Sequence, residues 1–466
     1  MALLLRNGTI VNEGEVFSGS LIIEGERIKS VLRESSFKDK KEYSSFLDQA
    51  SSSMETLDMT GLHIFPGVID SHVHFREPGD GTKGTIETES KAAVIGGVTS
   101  FMDMPNNNPP ALTNALLEEK FSIAEEKSFA NYSFYLGASN SNLEEIRNIR
   151  VKDVCGVKLF MGASTGGLLV DSQSALEKIF RYSPTLIAVH CEDSSIISSN
   201  LKEAIKKYGA EIPPEIHPQI RSRICCLKST EKAVSLANRY NSRLHILHVT
   251  TKEEAELVST LPDSITAETA PSYLWFCDED YTRYGNLIKC NPAVKTREDM
   301  LFLRDALKKG ILKTVGSDHA PHLLKDKQKP YTDAPSGIPL IQYELQMMLT
   351  LAERGEFSLS DIAEYLSHAP ARCFGVAERG FVREGYYADL AIVDLDKNAR
   401  ASAPASKCGW SPFSEKGVVF HPQSGKDEVM DSFPCAVVHT IVNGVVTVKD
   451  GCLTGRRNPC RLKFDR

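Results

Sequence analysis

The sequence of 466 residues predicts an α/β protein, in which a (β/α)8 barrel carries a smaller composite β-sandwich formed by both ends of the chain. Between residues 64 and 370, short apolar runs alternate with helix-length amphipathic segments, as in repeated βα units. Both termini instead show the alternating pattern of strands in a half-buried sheet. We therefore place the sandwich at residues 1–63 plus 375–466 and the barrel at residues 64–374.

The N-terminal segment predicts β structure. Residues 20–31 alternate between apolar and polar side chains and turn at Gly25, which is typical of a β-hairpin. The following stretch, residues 34–56, is polar and rich in serine, and we expect it to leave this small sheet.

Eight apolar runs follow, each of the length expected for a buried parallel strand. A closed barrel of this kind takes about 250 residues, so the length of the segment favours a barrel over an open sheet. The runs are Ile64–Asp70, Val98–Met104, Tyr132–Gly137, Val154–Phe160, Thr185–His190, Leu244–Val249, Ser264–Glu268 and Leu312–Asp318.

The last part of the chain returns to β structure, in residues 388–394 and 440–448. Asn443-Gly444 is a strong signal for a two-residue hairpin turn, because both positions tolerate a positive φ. We expect these strands to share one sheet with the N-terminal strands.

The composition predicts a globular protein that acts on a small molecule. Hydrophobic residues make up 41% and charged residues 25%, which excludes disordered, collagenous and coiled-coil classes. The 54 basic and 61 acidic residues leave no basic excess, so neither nucleic acid nor a membrane surface is expected as a partner. No apolar run is long enough for a membrane span, and the 11 cysteines show no CxxC pair. We therefore expect a cytoplasmic location.

Histidine and aspartate residues stand at the ends of several predicted strands. His72 and His74 follow the first run, His190 ends the fifth, His248 lies near the end of the sixth and Asp318 ends the eighth. Because a (β/α)8 barrel gathers its active site at the carboxyl ends of its strands, we expect these side chains to meet around metal ions.

Lys158 lies inside the fourth apolar run, where a charged amine is costly unless it is paired or neutralised. One interpretation is a salt-bridged or snorkelling lysine. The other is an amine that adds CO₂, because the resulting carbamate would be an oxygen ligand able to bridge two divalent cations. His245 has the opposite strand parity to His248, so we expect His245 to face the helices.

Together these residues and their surrounding motifs resemble the dihydroorotases of the amidohydrolase superfamily over nearly the whole chain. Besides the strand ends at His190 and His248, the motifs are residues 70–79 (DSHVHFREPG), 104–106 (MPN), 156–160 (GVKLF), 316–322 (GSDHAPH) and 408–413 (CGWSPF).

The resemblance implies a binuclear metal site, usually with zinc. It implies that His72, His74 and Asp318 bind one metal, that His190 and His248 bind the other, and that a carbamate on Lys158 bridges the two. Two cations about 3.5–4 Å apart polarise a carbonyl and lower the pKa of bound water towards about 7, which suits amide hydrolysis. Asp318 can then accept a proton during attack and pass it to the departing nitrogen.

Arg76 lies two residues beyond His74, so its planar guanidinium could grip a ligand carboxylate beside the metals. The resemblance implies that Arg76 and Asn106 hold the substrate carboxylate. It places Asn291 and His322 around the ring and assigns the substrate loop to residues 334–339, with Ser336 and Gly337.

Two segments depart from the pattern of the family, so the resemblance does not assign all contacts to the substrate ring. Residues 268–273 carry serine and tyrosine where many relatives have a histidine pair, and residues 334–339 match the substrate loop only in part. The loop at residues 322–335, with three lysines, is either mobile over the site or a plain solvated loop.

The predicted function is that of a dihydroorotase, which reversibly converts N-carbamoyl-L-aspartate into L-dihydroorotate in pyrimidine biosynthesis. The alternatives are allantoinase, dihydropyrimidinase and hydantoinase, whose cyclic ureides lack the ring carboxylate that Arg76 would bind. A non-catalytic scaffold with this fold would lack several metal ligands, whereas all six positions here are filled by competent residues. A homodimer is expected from the family alone.

Overall fold

The computed structural model describes residues 2–162, 168–400 and 404–466 of the chain. It contains an eight-stranded parallel barrel and a nine-stranded sheet drawn from both ends of the chain, which confirms the predicted fold class. The boundaries between the two domains, 63/64 and 374/375, stay predictions. Within the described ranges, no helix is long and apolar enough to cross a membrane.

Five strands precede the barrel. They are β1 (Ala2–Asn12), β2 (Glu15–Glu24), β3 (Arg27–Arg33), β4 (Glu55–Asp58) and β5 (His63–Pro66). Strands β2 and β3 form the predicted hairpin, with Gly25 at a φ of 64° in the turn. The serine-rich stretch leaves the sheet as expected and folds into helix α1 (Lys40–Ser51), which packs Tyr43 and Leu47 on Leu4 of β1.

The barrel strands run parallel in chain order. They are β6 (Val68–Val73), β7 (Val98–Asp103), β8 (Asn131–Gly137), β9 (Gly156–Phe160), β10 (Ile187–His190), β11 (Leu244–Ile246), β12 (Ile265–Thr269) and β13 (Thr314–Val315). The ring closes where Val73 of β6 pairs with His319, just after β13. Each of the eight predicted runs therefore overlaps a barrel strand.

The first predicted run is divided between the two sheets at Gly67. Residues 63–66 belong to β5 of the terminal sheet, and β6 of the barrel begins at Val68. A Cβ at Gly67 would lie 2.1 Å from the Thr99 hydroxyl oxygen, so only glycine fits where the chain crosses between the sheets.

The last part of the chain forms further strands, of which four complete the terminal sheet and four form two separate two-stranded sheets. They are β14 (Leu390–Asp394), β15 (Ala399–Arg400), β16 (Val418–Phe420), β17 (Glu428–Met430), β18 (Ser432–Phe433), β19 (Ala436–Val442), β20 (Val445–Lys449) and β21 (Cys452–Leu453). Strand β14 lies between β5 and β19, so the two ends of the chain share a sheet as predicted. Asn443 and Gly444 have φ of 47° and 75° in the β19–β20 turn, which confirms the predicted hairpin signal.

Helices connect the barrel strands, and side-chain caps fix where several of them begin. Thr85, Thr113, Ser172, Thr251 and Thr296 each accept a hydrogen bond from the backbone N–H three residues on. The remaining helices are α2 (Ile86–Ile95), α3 (Asn114–Lys127), α4 (Leu143–Arg147), α5 (Gln173–Tyr182), α6 (Ser194–Tyr208), α7 (His217–Ile220), α8 (Arg223–Tyr240), α9 (Lys252–Val258), α10 (Pro271–Trp275), α11 (Tyr281–Tyr284), α12 (Arg297–Lys308), α13 (Leu324–Lys327), α14 (Glu344–Glu353), α15 (Leu359–Ala363), α16 (Ala369–Phe374) and α17 (Pro412–Lys416).

An apolar cluster packs beneath the strand ends. Ile69 of β6 and Tyr135 of β8 meet Phe374 of α16 in this cluster. Neighbouring side chains such as Phe101 and Phe134 point the other way and join the larger core shared with the helices. The polar groups at the strand ends therefore lie on an apolar floor.

Candidate active site

A cavity of about 710 Å³ opens at the carboxyl ends of the barrel strands. Every residue that the sequence predicts for the site lines it, and these residues are His72, His74, Arg76, Asn106, Lys158, His190, His248, Asn291, Asp318, His322, Ser336 and Gly337. The structure therefore brings together side chains that are up to 265 positions apart in the sequence.

One group of donors consists of two imidazoles and a carboxylate. Asp318 Oδ1 lies 3.1 Å from His74 Nε2 and 3.3 Å from His72 Nε2, and the three donor atoms lie within 4.8 Å of one another. Burial alone would raise the pKa of Asp318, but the nearby His72 and His74 rings outweigh it and hold the pKa below its usual range. Burial lowers the pKa of His74 to about 4. A carboxylate with two imidazole nitrogens is a donor set that suits Zn²⁺.

The Nδ1 atoms of His72 and His74 are also in hydrogen-bond contact with side-chain oxygens. His72 Nδ1 lies 2.7 Å from Glu268 Oε1, and His74 Nδ1 lies 2.7 Å from Asn106 Oδ1. Each ring can donate from Nδ1 to its partner, which leaves the Nε2 lone pair facing Asp318. Asn106, predicted as a substrate contact, thus has a second task as a hydrogen-bond acceptor for His74.

A second pair of imidazoles lies beside the first group. His190 Nδ1 and His248 Nε2 are 2.9 Å apart, and the His248 ring lies 5.2 Å from the His72 ring between centroids. Burial lowers the pKa of both His190 and His248, so both rings are neutral and available as ligands. His248 Nδ1 is buried without a hydrogen-bond partner in the described part of the chain. These donors fit a second cation.

Lys158 projects from β9 into the same cavity and is buried. Burial lowers the pKa of Lys158 to about 7, although the negative charges of Asp318 and Glu268 oppose this shift. A substantial fraction of the amine is therefore uncharged near neutral pH. Only an uncharged amine can add CO₂, so this environment fits carbamate formation.

Arg76 lies on the wall of the cavity with a φ of 69° and is partly buried. Its Nε donates to the Pro321 carbonyl at 3.3 Å, and its Nη2 lies 3.2 Å from His322 Nε2. No carboxylate of the described residues forms an ion pair with this guanidinium. A cation without an anionic partner beside a polar cavity is a candidate anion site.

The remaining predicted contacts present polar atoms to the cavity. Asn291 Oδ1 and His322 Nδ1 are buried without hydrogen-bond partners among the described residues. His322 Nε2 lies 3.0 Å from the Ser336 carbonyl oxygen. Gly337 has a φ of 144°, and a Cβ there would lie 2.6 Å from the Ala320 carbonyl oxygen, so the loop requires glycine at this position.

The loop at residues 322–335 differs from the plain solvated loop that was one of the two alternatives. Lys327 in its middle is only 1% exposed, and its ammonium donates to backbone carbonyls of neighbouring segments. The loop is therefore anchored by a buried charge rather than being a simple solvated segment.

The expected orientation of His245 is wrong. Its Nε2 lies 3.2 Å from Glu268 Oε2, the carboxylate that also binds His72, and its ring packs on Phe374 beneath the site. The parity argument fails because β11 ends at Ile246 and His248 has a φ of 40°, so His248 lies outside the alternation of the strand.

Three groups of the site were missed in the sequence. Glu268 accepts from His72, and Glu192 lies 3.0 Å from His190 Nε2 while it pairs with Arg221 on the cavity wall. Glu268 ends the seventh apolar run, a position equivalent to those of the predicted ligands, and this could have identified it. The partners of Glu192 depend on the folded chain and leave no such signal.

Comparison with known proteins identifies the family of the chain. The chain matches the Amidohydrolase family over residues 63–447. It is 30% identical over 405 residues to the dihydroorotase of Methanothermobacter thermautotrophicus, with 85% of this chain and 86% of that protein covered. It is 32% identical over 400 residues to the dihydroorotase of Pyrococcus abyssi, with 85% and 86% covered. The structure of an L-hydantoinase (dihydropyrimidinase) from Arthrobacter aurescens superimposes with a TM-score of 0.86 at 25% identity, and 99% of each chain is covered.

The family match covers well over half of the chain and includes every barrel strand. The match confirms the predicted class of enzyme, a hydrolase of amide bonds. A non-catalytic scaffold is disfavoured by a separate observation, since all six candidate metal donors line one cavity. The chain therefore belongs to the amidohydrolase family.

Proposed function

We propose that this amidohydrolase is a dihydroorotase, which interconverts L-dihydroorotate and N-carbamoyl-L-aspartate in pyrimidine biosynthesis. The observation that carries the proposal is the Arg76 guanidinium, which lines the same cavity as the candidate metal donors and forms no ion pair with a described carboxylate. L-Dihydroorotate brings a ring carboxylate that would complete this pair. The name shared by the archaeal relatives supports the same substrate.

The donors at the strand ends would hold two divalent cations, as the resemblance stated from the sequence implies. His72, His74 and Asp318 would hold one ion, and His190 and His248 would hold the other. Lys158 would join both as a carbamate, formed when its uncharged amine bonds to CO₂ and releases one proton. When bound, such ions, with Zn²⁺ as the proposed metal, polarise the amide carbonyl and make water acidic enough to attack at neutral pH.

Asp318 is the residue we assign to proton transfer. Its low pKa keeps the carboxylate ionised, so an Oδ atom can accept the proton of the attacking water. The ring C–N bond then breaks, and Asp318 returns the proton to the departing nitrogen. Ring closure runs through the same steps in reverse, with the proton moving from nitrogen to Asp318.

The other predicted residues orient the substrate. Arg76 and the amide N–H of Asn106 would hold the ring carboxylate, while Asn106 Oδ1 stays bound to His74. The unpartnered Asn291 Oδ1 can accept from a ring N–H, and Ser336 and Gly337 offer backbone groups beside it. The ring would then lie with its amide towards Asp318.

Hydantoinase or dihydropyrimidinase activity is the second candidate, because the similarity to the Arthrobacter structure extends over the whole chain. Rings such as hydantoin, dihydrouracil and allantoin have no carboxylate for Arg76. A hydrogen bond to a charged group contributes about 1.5–3 kcal/mol, so these rings should be disfavoured by about 10- to 150-fold.

The decisive experiment compares kcat/KM for L-dihydroorotate, dihydrouracil, hydantoin and allantoin on metal-loaded protein. We expect dihydroorotate to be preferred by at least about tenfold over each uncharged ring. A preference for any uncharged ring would overturn the substrate assignment and leave the enzyme class intact.

A further inference from the structure

The buried ammonium of Lys327 lies behind the substrate cavity rather than in it. Lys327 ends helix α13 and donates from Nζ to the carbonyl oxygens of Lys289 at 2.9 Å, Pro335 at 3.0 Å and Gly337 at 2.9 Å. An ammonium has three N–H donors, so all of them are used. No carboxylate in the described ranges pairs with it, so backbone carbonyl oxygens are its hydrogen-bond partners.

The three carbonyls belong to two segments that carry predicted ring contacts. Lys289 stands two residues before Asn291, and Pro335 and Gly337 flank Ser336. The Gly337 N–H also donates to the Lys289 carbonyl at 2.9 Å, so the two segments meet at the point where Lys327 binds. A single ammonium therefore holds both segments at a fixed distance.

A second buried lysine, Lys289, binds the loop that follows helix α13. Lys289 Nζ donates to the carbonyl oxygens of Tyr331 and Ala334, each at 2.6 Å. The chain between α13 and Pro335 is thereby tied to the segment that contains Asn291. The Lys289 ammonium also lies 4.1 Å from the centroid of the Tyr331 ring. Two buried amines that bind carbonyl oxygens and no carboxylate of the described residues are costly, and this cost is difficult to explain for a loop that only covers the protein surface.

We propose that Lys327 is a positioning residue for substrate binding: it fixes the spacing between residues 289–291 and 335–337, so that both segments contact one cyclic amide ring. The proposal rests on the proposed function only in that a cyclic amide occupies this cavity. It concerns the amide edge of the ring and is independent of the carboxylate at Arg76.

The test uses whichever ring the wild-type enzyme hydrolyses fastest. Lys327→Met keeps an unbranched side chain that is one atom shorter and removes all three donors, so we expect KM to rise at least about tenfold while kcat changes less than about threefold. Metal content should equal that of the wild type. Lys325→Met is the matched control, because Lys325 lies on the same helix but is exposed, and it should leave KM unchanged.

Lys327→Arg keeps the charge but cannot direct three N–H groups in the ammonium geometry. We expect the KM of Lys327→Arg to lie between those of the wild type and Lys327→Met. If Lys327→Met fails to fold, the KM of Lys327→Arg tests the proposal in its place. An unchanged KM in the folded Lys327 variants would overturn the proposal. A rise in KM together with a fall in both kcat and metal content would overturn it as well. Preference for an uncharged ring would refute only the proposed function, because the KM comparison can be made with that ring.

Discussion

Two of the histidines at the site, His72 and His190, are held by carboxylates that accept from a ring nitrogen. Glu268 does this for His72 at 2.7 Å, and Glu192 for His190 at 3.0 Å. Such partners fix the tautomer and direct the other nitrogen towards the cavity. The histidines could be predicted because they stand at strand ends. Their partners could not be assigned, because Glu268 lies 196 residues from His72 in the sequence, and the contact of Glu192 with His190 depends on how the backbone turns after the strand.

Lys158 gives the first prediction at this scale. Lys158→Ala should abolish hydrolysis, because the shorter side chain can no longer supply a carbamate oxygen to the metal donors. A small carboxylic acid such as acetate or propionate can occupy the space and supply that oxygen, so activity should return in part when it is added. Failure of rescue in a variant that still binds both metals would exclude the bridging carbamate.

Arg76 gives the second prediction. Arg76→Met should lower kcat/KM for L-dihydroorotate by about 10- to 150-fold, because the carboxylate loses a charged hydrogen-bond partner. Dihydrouracil is the matched control substrate, since it differs from dihydroorotate only by the carboxylate, and its rate should change little. An equal loss with both substrates, or loss of metal, would make Arg76 a structural residue.

At the scale of the elements, the ends of the barrel strands determine where functional side chains point. Strand β13 has only two residues, and Asp318 follows it with a φ of 48°. His248 likewise follows β11 with a φ of 40°. Alternation therefore predicts directions within strands and fails just beyond them, which is why His245 and His248 were assigned the wrong relative orientation.

The β16–β17 hairpin is tied to the barrel helices through a charged histidine. His421 Nε2 lies 2.8 Å from Asp280 Oδ2, and His421 Nδ1 lies 3.0 Å from Asp427 Oδ1. Burial alone would lower the pKa of His421, but the hydrogen bond to Asp280, aided by Cys277 and Asp427, raises the pKa to about 10.

This arrangement predicts how stability depends on pH. An unfolded histidine has a pKa of about 6.5, so the stabilisation from His421 is complete below that pH and is lost as the pH rises towards about 10. The difference in free energy of unfolding between wild type and His421→Gln should therefore be larger at pH 6 than at pH 10. Denaturant titrations at both values test this, and a constant or increasing difference would contradict it.

At the scale of the whole molecule, residues from distant parts of the chain join the terminal sheet to the barrel. Asn131 at the start of β8 donates to Asp389 at 3.1 Å and accepts from Asn443 at 2.8 Å. Arg379 is buried and pairs with both Asp389 and Asn443. The sequence predicted that both ends share a sheet, because their strand patterns are local, but not this network, whose members are up to 312 residues apart.

The central claim is that the barrel assembles a pair of metal ions at its strand ends, without which hydrolysis does not occur. Removal of metal with a chelator, followed by titration with Zn²⁺ and assay with the fastest cyclic amide, tests it most directly. We predict no activity in the metal-free protein and a maximum at about two equivalents per chain. Full activity without metal, or a maximum at a single equivalent, would contradict the claim.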